Sequence, residues 1–529
     1  MESAVLPTQS PSQNARQFAD RIANLEQHLS QRDEQIQLLE QQLDWFKRQL
    51  FGSKSEKRLH VPAEQMDIAD LLSMPAVENT PTEEKVRVSY LRGKRKQRDE
   101  DCATDKGLRF DDSVPVKTIH IEAPELSGPD ADQYEVIDYK ISYRLGQQPS
   151  SYIVLKYSRP VLKKKTSQTL ITTPAPASVF EGSMADVSVL AGLLVDKFAY
   201  HLPLYRQHQR MQAGGITLSR ATLTHWCKRT IELLKPIYQA QLDHILLSRV
   251  LAMDETPIKA GRKSKNKGKM HQGWLWPIYG EDDEICFTYS SGRGAVHLET
   301  VLKGYEGVLL TDGYAAYDKF AKDKPIIQAQ CWVHARRYFV KADNIEPEAV
   351  AQALDQIGAL YRIEKTIQTK ALPPDKKRAY REKHSQAIVD AFFDWCRKQQ
   401  QRIDLVNSNP LSKALKYAAN HEDQMRVFLR DPDVPMDTNH VERNLRGIPL
   451  GRKNWMFCWT EMGAEHVGVI QSLITSCRLQ NIDPYTYLVD VLQRVSLHPA
   501  KKVEELTPRL WKEHFADAPL KSDLNKLDD

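Results

Sequence analysis

The sequence has no apolar run of about 20 residues, the length that a membrane-spanning helix needs, which argues against an integral membrane protein. Its first residues lack a basic start followed by an apolar stretch, so we expect no signal peptide. Hydrophobic residues make up 41% of the 529 residues and charged residues 27%. These proportions are typical of a soluble protein with several domains, each able to bury a core.

The sequence has few cysteines and no close pairs of them. Its seven cysteines are scattered, and none belongs to a CxxC pair. Zinc ribbons require such pairs, so the pattern argues against one, and we do not expect bound zinc. Scattered thiols are typical of a reduced, cytoplasmic protein.

The excess of one charge sign is also small, since the formal net charge is only +5. The basic residues are nevertheless grouped in clusters that could neutralise DNA phosphates. The clusters are Arg92–Arg98, Lys163–Lys165, Arg262–Lys269 and Arg443–Lys453. One such cluster is equally typical of a solvated surface, but four in one chain favour DNA binding.

An apolar heptad repeat predicts a coiled coil over residues 1–50. One position of the repeat is occupied by Ile22, Leu29, Ile36, Leu43 and Leu50, and the other mainly by Phe18, Leu25, Leu39 and Phe46. A coiled coil would make the protein a homodimer or a higher oligomer, as a DNA substrate with two ends would require. The alternative is a long amphipathic helix packed on its own chain. The polar residues 51–112 are expected to form a linker.

Residues 113–172 alternate apolar and polar side chains in three stretches, which predicts a small β domain. The stretches begin at Lys117, Tyr134 and Ser151. The segment Ile171–Ser178 should then be a linker, because its prolines continue neither a strand nor a helix.

Helical patterns over residues 180–245 predict a helix-turn-helix DNA-binding region. The expected helices are an amphipathic one over Asp186–Tyr200, a second over Pro203–Ala213 and a third over Arg220–Leu234. Gly214 and Gly215 provide the turn, and Ser219 is expected to cap the third helix. That helix offers contacts to a DNA groove or to phosphates from Arg220, Thr224, His225, Lys228 and Arg229. The alternative is a helical packing module without a ligand.

From Ser248 the hydrophobic pattern becomes that of strands, over a region that we assign to residues 246–343. An apolar strand, Val250–Met253, leads to Asp254, and another, Val308–Leu310, leads to Asp312. Between them we expect two strands and a helix, at Gly273–Gly280, Glu284–Ser290 and Ala295–Leu302. This order of elements is typical of a ribonuclease H-like α/β fold.

Carboxylates at rigid strand ends suit phosphodiester chemistry, because Mg²⁺ prefers hard oxygen ligands. Two Mg²⁺ ions about 3.5–4 Å apart can activate the attacking oxygen and stabilise the leaving one. Either aspartate alone is weak evidence, since Asp312 before Gly313 is also typical of a turn. Glu255 is the alternative to Asp254, although alternation along the strand places it on the opposite face.

A third carboxylate is expected after a helical insertion at residues 344–430, within a second catalytic segment at residues 431–495. Glu442 lies in a helical stretch there, and Asp437 and Glu461 are alternatives. Candidates for DNA or phosphate contacts are His334, Arg336, Arg337, Arg443, Arg446, Arg452 and Lys453. His334 can equally be structural. Residues 496–529 are expected to be a C-terminal tail.

Long stretches of the sequence resemble transposases of the insertion sequence 66 type. The resemblance covers nearly the whole chain and is carried by motifs such as LFGSKSEK, DETPIK, HQGWLWPIYG, LLTDGYAAYDKF, CWVHARRYF and DTNHVERNLRGIPLGRKNW. It implies a DDE-type enzyme in which Asp254, Asp312 and Glu442 bind Mg²⁺, or Mn²⁺ in its place. It also implies cleavage at terminal inverted repeats, strand transfer into target DNA, a nucleoid-associated location and small accessory proteins of the same element.

The sequence departs from this family in one segment. Family members usually carry a small cysteine-rich zinc-binding segment before the helix-turn-helix, whereas residues 115–170 contain no cysteine. Two other classes remain as alternatives: a DNA-binding regulator without catalysis, and a coiled-coil scaffold. The occupied acidic positions count against a regulator, and a scaffold leaves the acidic and basic motifs unexplained.

Overall fold

A computed structural model of the protein describes residues 108–148, 151–167, 169–262, 270–455 and 457–525. These residues form a mixed α/β fold, so the predicted fold class is confirmed at this level. The predicted coiled coil, most of the linker and the basic clusters Arg92–Arg98 and Lys263–Lys269 lie outside the described residues. In the described part, no helix combines the length and the apolar character needed to cross a membrane.

The predicted β region forms a four-stranded sheet. The first strands among the described residues are β1 (Arg109–Phe110), β2 (Val116–His120), β3 (Tyr134–Gln148), β4 (Ser151–Lys164) and β5 (Leu170–Thr172). β4 is central, parallel to β2 and antiparallel to β3 and β5. Two 3₁₀ turns, Pro124–Leu126 and Ala131–Gln133, connect β2 to β3.

Both linkers predicted around this region are partly wrong. β1 pairs with a short strand β6 (Ile216–Thr217), and Phe110 is buried, so the linker ends before residue 112. Ile171 and Thr172 belong to β5, which ends just before Pro174 because proline cannot continue the ladder. In both places, pairing with a distant strand outweighs the polar local sequence.

The expected helices of residues 180–245 are present, but two of them differ from prediction. They are α1 (Val187–Leu194), which continues into a π-helical turn (Val195–Ala199), α2 (Leu204–Ala213) and α3 (Arg220–Ile245). α1 is buried along its whole length rather than amphipathic, because it packs against β3 and α3 at the same time. α3 runs past Leu234 and contains Pro236, because its later turns bury Leu242 and Ile245.

The next strands form a six-stranded sheet. They are β7 (Val250–Met253), β8 (Thr256–Arg262), β9 (Met270–Tyr279), β10 (Ile285–Ser290), β11 (Val308–Thr311) and β12 (Ile327–Gln330). Their order is β10-β9-β7-β11-β12, with β8 also paired to β9. β9 is antiparallel to β7 and β10, whereas β7, β11 and β12 are parallel. β8 was not predicted, because the charged pair Asp254-Glu255 indicates the end of the preceding strand.

Alternate residues of the parallel strands enter two cores on opposite faces of this sheet. Val250, Ala252 and Leu310 enter one core, together with a helical segment that follows the sheet. Leu251 and Met253 enter the other, together with the end of α3, α4 (Ala295–Val301) and α5 (Ala315–Ala321). This alternation is the period of two expected of a strand that is buried on both faces.

The predicted insertion consists of helices joined by loops. After α6 (Trp332–Val340) come α7 (Pro347–Thr369), α8 (Pro374–His384), α9 (Gln386–Gln400), α10 (Pro410–Asn420), α11 (Glu422–Met425) and α12 (Val427–Arg430). The break between α7 and α8 lies at the expected KALPPDKK motif. The fully buried Arg381 donates hydrogen bonds to both carboxylate oxygens of Glu364 and to three backbone carbonyls. These bonds connect α7 and α8 to the end of the insertion.

The last helices close the fold. They are α13 (Asn439–Leu445), α14 (Gly447–Trp455), α15 (Glu461–Leu479), α16 (Pro484–Arg494) and α17 (Pro508–His514), with a 3₁₀ segment at Ala500–Leu506. α15 covers the edge strand β10: Ser472 and Ser476 accept the N–H groups of Phe287 and Ile285. Residues 496–525 are not the expected tail, since Trp511 and Leu524 are buried.

Candidate active site

Asp254 lies at a break in the ladder between β7 and β8. The register pairs Met253 with Ile278 and Thr256 with Leu275, which puts Asp254 opposite Pro277. Pro277 pairs with Phe287 of β10, but the N–H of Phe287 donates to Ser472 and not to β9. In an antiparallel ladder, the N–H of a residue at position 277 would therefore point away from β10 and toward β7. Proline has no N–H to donate. The ladder therefore opens at Asp254, whose carboxylate accepts the N–H of Glu255 at 2.7 Å.

Asp312 lies beside Asp254. β7 and β11 are parallel, and Ala252 pairs with Leu310. Asp254 and Asp312 each lie two residues beyond this pair, so the same register places them next to each other. The carboxylate of Asp312 accepts the N–H of Tyr314 at 2.9 Å, and its backbone carbonyl accepts the hydroxyl of Tyr417 at 2.7 Å. Tyr417 belongs to the helical insertion, which therefore holds the backbone at this strand end.

Glu442 reaches the same region from α13. Its carboxylate accepts a hydrogen bond from Arg337 of α6 and lies 3.6 Å from Nε2 of His334. Arg337 also lies 3.1 Å from this histidine nitrogen. One oxygen of Glu442 and Nδ1 of His334 are buried and have no hydrogen-bond partner among the described residues.

Two groups of metal-type ligands share Asp254. One contains Asp254, His334 and Glu442, and the other contains Asp254, Glu255 and Asp312. Within each group the ligand atoms all lie within 4.8 Å of one another. We call these five residues the acidic cluster. The two aspartates and Glu442, predicted as a set, thus lie in one place in the fold.

The acidic cluster disfavours ionisation of Asp254. Burial raises the pKa of its carboxyl to about 7, and the negative charges of Glu255, Asp312 and Glu442 act in the same direction. Burial lowers the pKa of His334, and Arg337 lowers it too, although the neighbouring carboxylates oppose this. A cation bound among these groups would relieve the repulsion between the carboxylates.

Glu255 is buried more deeply than Asp254 and is held by residues that we did not single out from the sequence. Arg293 donates from Nε at 2.7 Å and from a second nitrogen, and Tyr317 donates its hydroxyl at 2.8 Å. Burial raises the pKa of Glu255, which these two donors oppose. Arg293 lies in a short loop between β10 and α4, where no sequence pattern marked it.

The alternatives to Glu442 lie in other surroundings. The carboxylate of Asp437 accepts the N–H of Asn439 at 2.9 Å and its side-chain amide at 2.7 Å, at the start of α13. Glu461 lines a separate groove of about 760 Å³ between α3, β10 and α15. Neither joins a group of three metal-type ligands in the described part of the chain.

The predicted DNA contacts on α3 share one exposed face. Arg220, Thr224, His225, Lys228 and Arg229 are all exposed, while Leu223, Trp226, Cys227 and Ile231 are buried on the other side. Three of the cations have partners within the protein: Lys228 lies 3.7 Å from Glu232, Arg229 lies 4.5 Å from the ring centre of Phe180, and Arg220 lies 5.7 Å from that of Tyr205. The face is accessible to a large ligand.

The predicted contacts near the acidic cluster are of two kinds. Arg336, Arg443, Arg446 and Lys453 are exposed. Arg337 instead donates to Glu442, and Arg452 donates to the backbone carbonyl of Pro257, so both have partners within the protein.

Sequence models of known protein families match this chain. The sequence model of the "Transposase IS66 family" matches residues 182–466, which is more than half of the chain. The "IS66 C-terminal element" matches residues 472–509, and "Transposase C of IS166 homeodomain" matches residues 38–119.

Two uncharacterised relatives match long stretches of the chain. The uncharacterised protein y4jD of Sinorhizobium fredii is 29% identical over 93% of this chain and 98% of its own length. The uncharacterised protein y4hP of the same organism is 30% identical over 70% of each chain. The resemblance read from the motifs is confirmed: the chain belongs to the IS66 family of transposases.

Proposed function

We propose that the protein is a DDE-type DNA transposase that cleaves the ends of its element and transfers them to target DNA. The family implies transposition, and the acidic cluster supplies a site for the chemistry. The strand order, three antiparallel strands followed by two parallel ones, supports a ribonuclease H-like catalytic domain. The observation that carries the proposal is the register that puts Asp254 and Asp312 side by side, with Glu442 within ligand distance of Asp254.

The acidic cluster fits divalent metal ions. Its carboxylate oxygens are the hard ligands that Mg²⁺ and Mn²⁺ prefer. The buried Glu442 oxygen without a hydrogen-bond partner among the described residues, and the raised pKa of Asp254, both indicate a site that a cation would stabilise. When bound, such ions would activate the attacking oxygen and stabilise the leaving one. Asp254, Asp312 and Glu442 would hold them, with Asp254 common to both ligand groups.

DNA would be bound by the exposed basic surface. The α3 face would enter a groove as the second part of a helix-turn-helix, through Arg220, Thr224, Lys228 and Arg229. Arg336, Arg443, Arg446 and Lys453 would neutralise phosphates near the acidic cluster. The heptads of residues 1–50 would pair two subunits so that both element ends are held together. Accessory proteins of the element and association with the nucleoid belong to the same proposal.

A cleavage assay on duplexes that carry the element's ends tests this function. With Mg²⁺ the protein should nick or cut at the end and join it to target DNA. Asp254→Asn should abolish both reactions while leaving binding to the ends unchanged in a gel-shift experiment. A purified, end-binding wild-type protein that cleaves with neither Mg²⁺ nor Mn²⁺ would instead be a regulator.

A further inference from the structure

The guanidinium of Arg293 packs against two aromatic rings at the edge of the acidic cluster. Its central carbon lies 3.7 Å from the ring centre of Tyr314 and 4.8 Å from that of Trp274. The N–H of Tyr314 donates to the carboxylate of Asp312. The two rings therefore fix the position of Arg293 relative to one of the proposed metal ligands.

Only part of the guanidinium is used within the protein. Nε and one Nη donate to a single oxygen of Glu255, and among the described residues no other side chain or carbonyl accepts a hydrogen bond from Arg293. A guanidinium has five N–H donors in one plane, so the edge facing away from Glu255 retains donors. The side chain is 35% exposed, whereas Glu255 is 1% exposed. The remaining donors are accessible to a ligand outside the protein.

We propose that Arg293 binds a phosphate of the DNA strand beside the acidic cluster. This inference rests on the proposed function. Carboxylates repel the DNA backbone, so a strand placed there needs a fixed cation close by. An arginine already packed against two rings loses little conformational freedom when it binds, and its planar donors match phosphate oxygens. Arg293 would thus position the strand, through the loop between β10 and α4, for attack at the cluster.

The competing role for Arg293 is purely internal: it neutralises the buried Glu255. The two roles predict different results for a variant in which Glu255 is neutral. If Arg293 serves only Glu255, the double variant Glu255→Gln with Arg293→Ala should restore what Arg293→Ala alone loses. If Arg293 binds phosphate, the double variant should remain as impaired as the single one.

The experiment uses full-length protein and a duplex that carries one end of the element, with single-turnover cleavage in Mg²⁺ and binding measured over a range of salt. Arg293→Ala should reduce cleavage by about ten- to a hundredfold, the loss of one charge-assisted hydrogen bond. Arg293→Lys should recover part of it, since lysine keeps the charge but not the planar donors. Arg402→Ala is the matched control, because Arg402 pairs with Glu346 and Asp404 in the helical insertion.

Binding measurements separate this inference from the proposed function. Loss of one phosphate contact should reduce the slope of log affinity against log salt by about 0.9 in Arg293→Ala. A duplex with one neutral methylphosphonate at the contacted position should weaken wild-type binding but not weaken Arg293→Ala further. An unchanged salt slope, or full recovery in the double variant, would overturn the inference. Absent cleavage by the wild type would instead count against the proposed function, while the salt and methylphosphonate results still decide the role of Arg293.

Discussion

Arg337 donates a hydrogen bond to the carboxylate of Glu442, although the two residues are 105 positions apart in the chain. The bond joins α6, which follows the central sheet, to α13, which follows the helical insertion. Arg337 was expected to contact DNA, but in the fold its partner is the third proposed metal ligand. If Glu442 binds a metal ion as proposed, the arginine would compete with that ion for the carboxylate.

Removing Arg337 should therefore strengthen metal binding in the absence of DNA. Arg337→Ala frees the Glu442 carboxylate from a competing cation that is half exposed, so the gain should be modest, about two- to fivefold in Mn²⁺ affinity. Titration of free Mn²⁺ by electron paramagnetic resonance measures this. Arg336→Ala, on the exposed neighbouring residue, should leave the affinity unchanged. Weaker binding in Arg337→Ala would mean that the arginine helps to build the site.

Asp254 should make the metal-free protein less stable as the pH rises. Its pKa of about 7 in the folded protein lies above the value of about 4 in an unfolded chain. The folded state thus holds this proton more tightly, and stability falls as the pH increases from about 4 to about 7. Asp254→Asn removes this dependence, so in EDTA at pH 8 it should be more stable than the wild type, by on the order of 2 kcal/mol.

Thermal or urea unfolding at pH 4 and pH 8 checks this prediction. The advantage of Asp254→Asn should vanish near pH 4, and Mg²⁺ at pH 8 should stabilise the wild type but not the variant. Asp375→Asn, at a side chain that is 97% exposed, should show no pH-dependent difference. A less stable Asp254→Asn protein at pH 8 would show that the carboxylate is stabilised in the fold without metal.

Arg381 should be essential for the stability of the helical insertion. Arg381→Ala leaves the Glu364 carboxylate and three carbonyls without their donor in a buried place, which should cost about 3–5 kcal/mol. Hydrogen exchange should locate the loss in α7, α8 and the end of the insertion. Arg378→Ala removes an exposed ion pair, in which a guanidinium nitrogen lies 3.9 Å from a carboxylate oxygen of Asp375. This change should alter the free energy of unfolding by less than about 0.5 kcal/mol. Equal effects of the two variants would contradict this account.

Ser472 should stabilise the packing of α15 on the edge of the central sheet. Ser472→Ala leaves the N–H of Phe287 buried without a partner, which should cost about 1–3 kcal/mol in urea unfolding. Gly468→Ala should also destabilise, because an added methyl group would collide with the carbonyl oxygen of Phe287. Exposed Ser151 provides a control, since Ser151→Ala should have little effect. Unchanged stability in both Ser472→Ala and Gly468→Ala would mean that α15 does not stabilise this edge of the sheet.

The strands could be predicted because a short apolar run is a local signal. Val250–Met253 and Val308–Leu310 were predicted as strands, and their parallel register then brings the following aspartates together. The third ligand could not be placed by local pattern, because α13 approaches the sheet only after the helical insertion. Arg293 and Tyr417 were missed for the same reason, since their partners Glu255 and Asp312 are distant in sequence.

Other errors arose where tertiary packing overrides local composition. The helix over Asp186–Tyr200 was expected to be amphipathic because it includes Asp196 and Lys197. These two residues lie in the π-helical turn, however, and all of α1 is buried because it packs against β3, α3 and α16. β8 follows a charged pair and contains Pro257, yet pairing with β9 makes it a strand. Both features depend on neighbours that the local sequence does not reveal.

The central claim is that Asp254, Asp312 and Glu442 hold catalytic metal ions, and a change of metal preference tests it most directly. Each residue is replaced by cysteine, and single-turnover cleavage of end DNA is measured with Mg²⁺ and with Mn²⁺, which accepts sulfur more readily. The account predicts that all three variants bind the ends, lose cleavage in Mg²⁺ and recover part of it in Mn²⁺, whereas Asp437→Cys shows no such change of preference. Full cleavage in Mg²⁺ by any of the three variants would contradict the assignment of that residue.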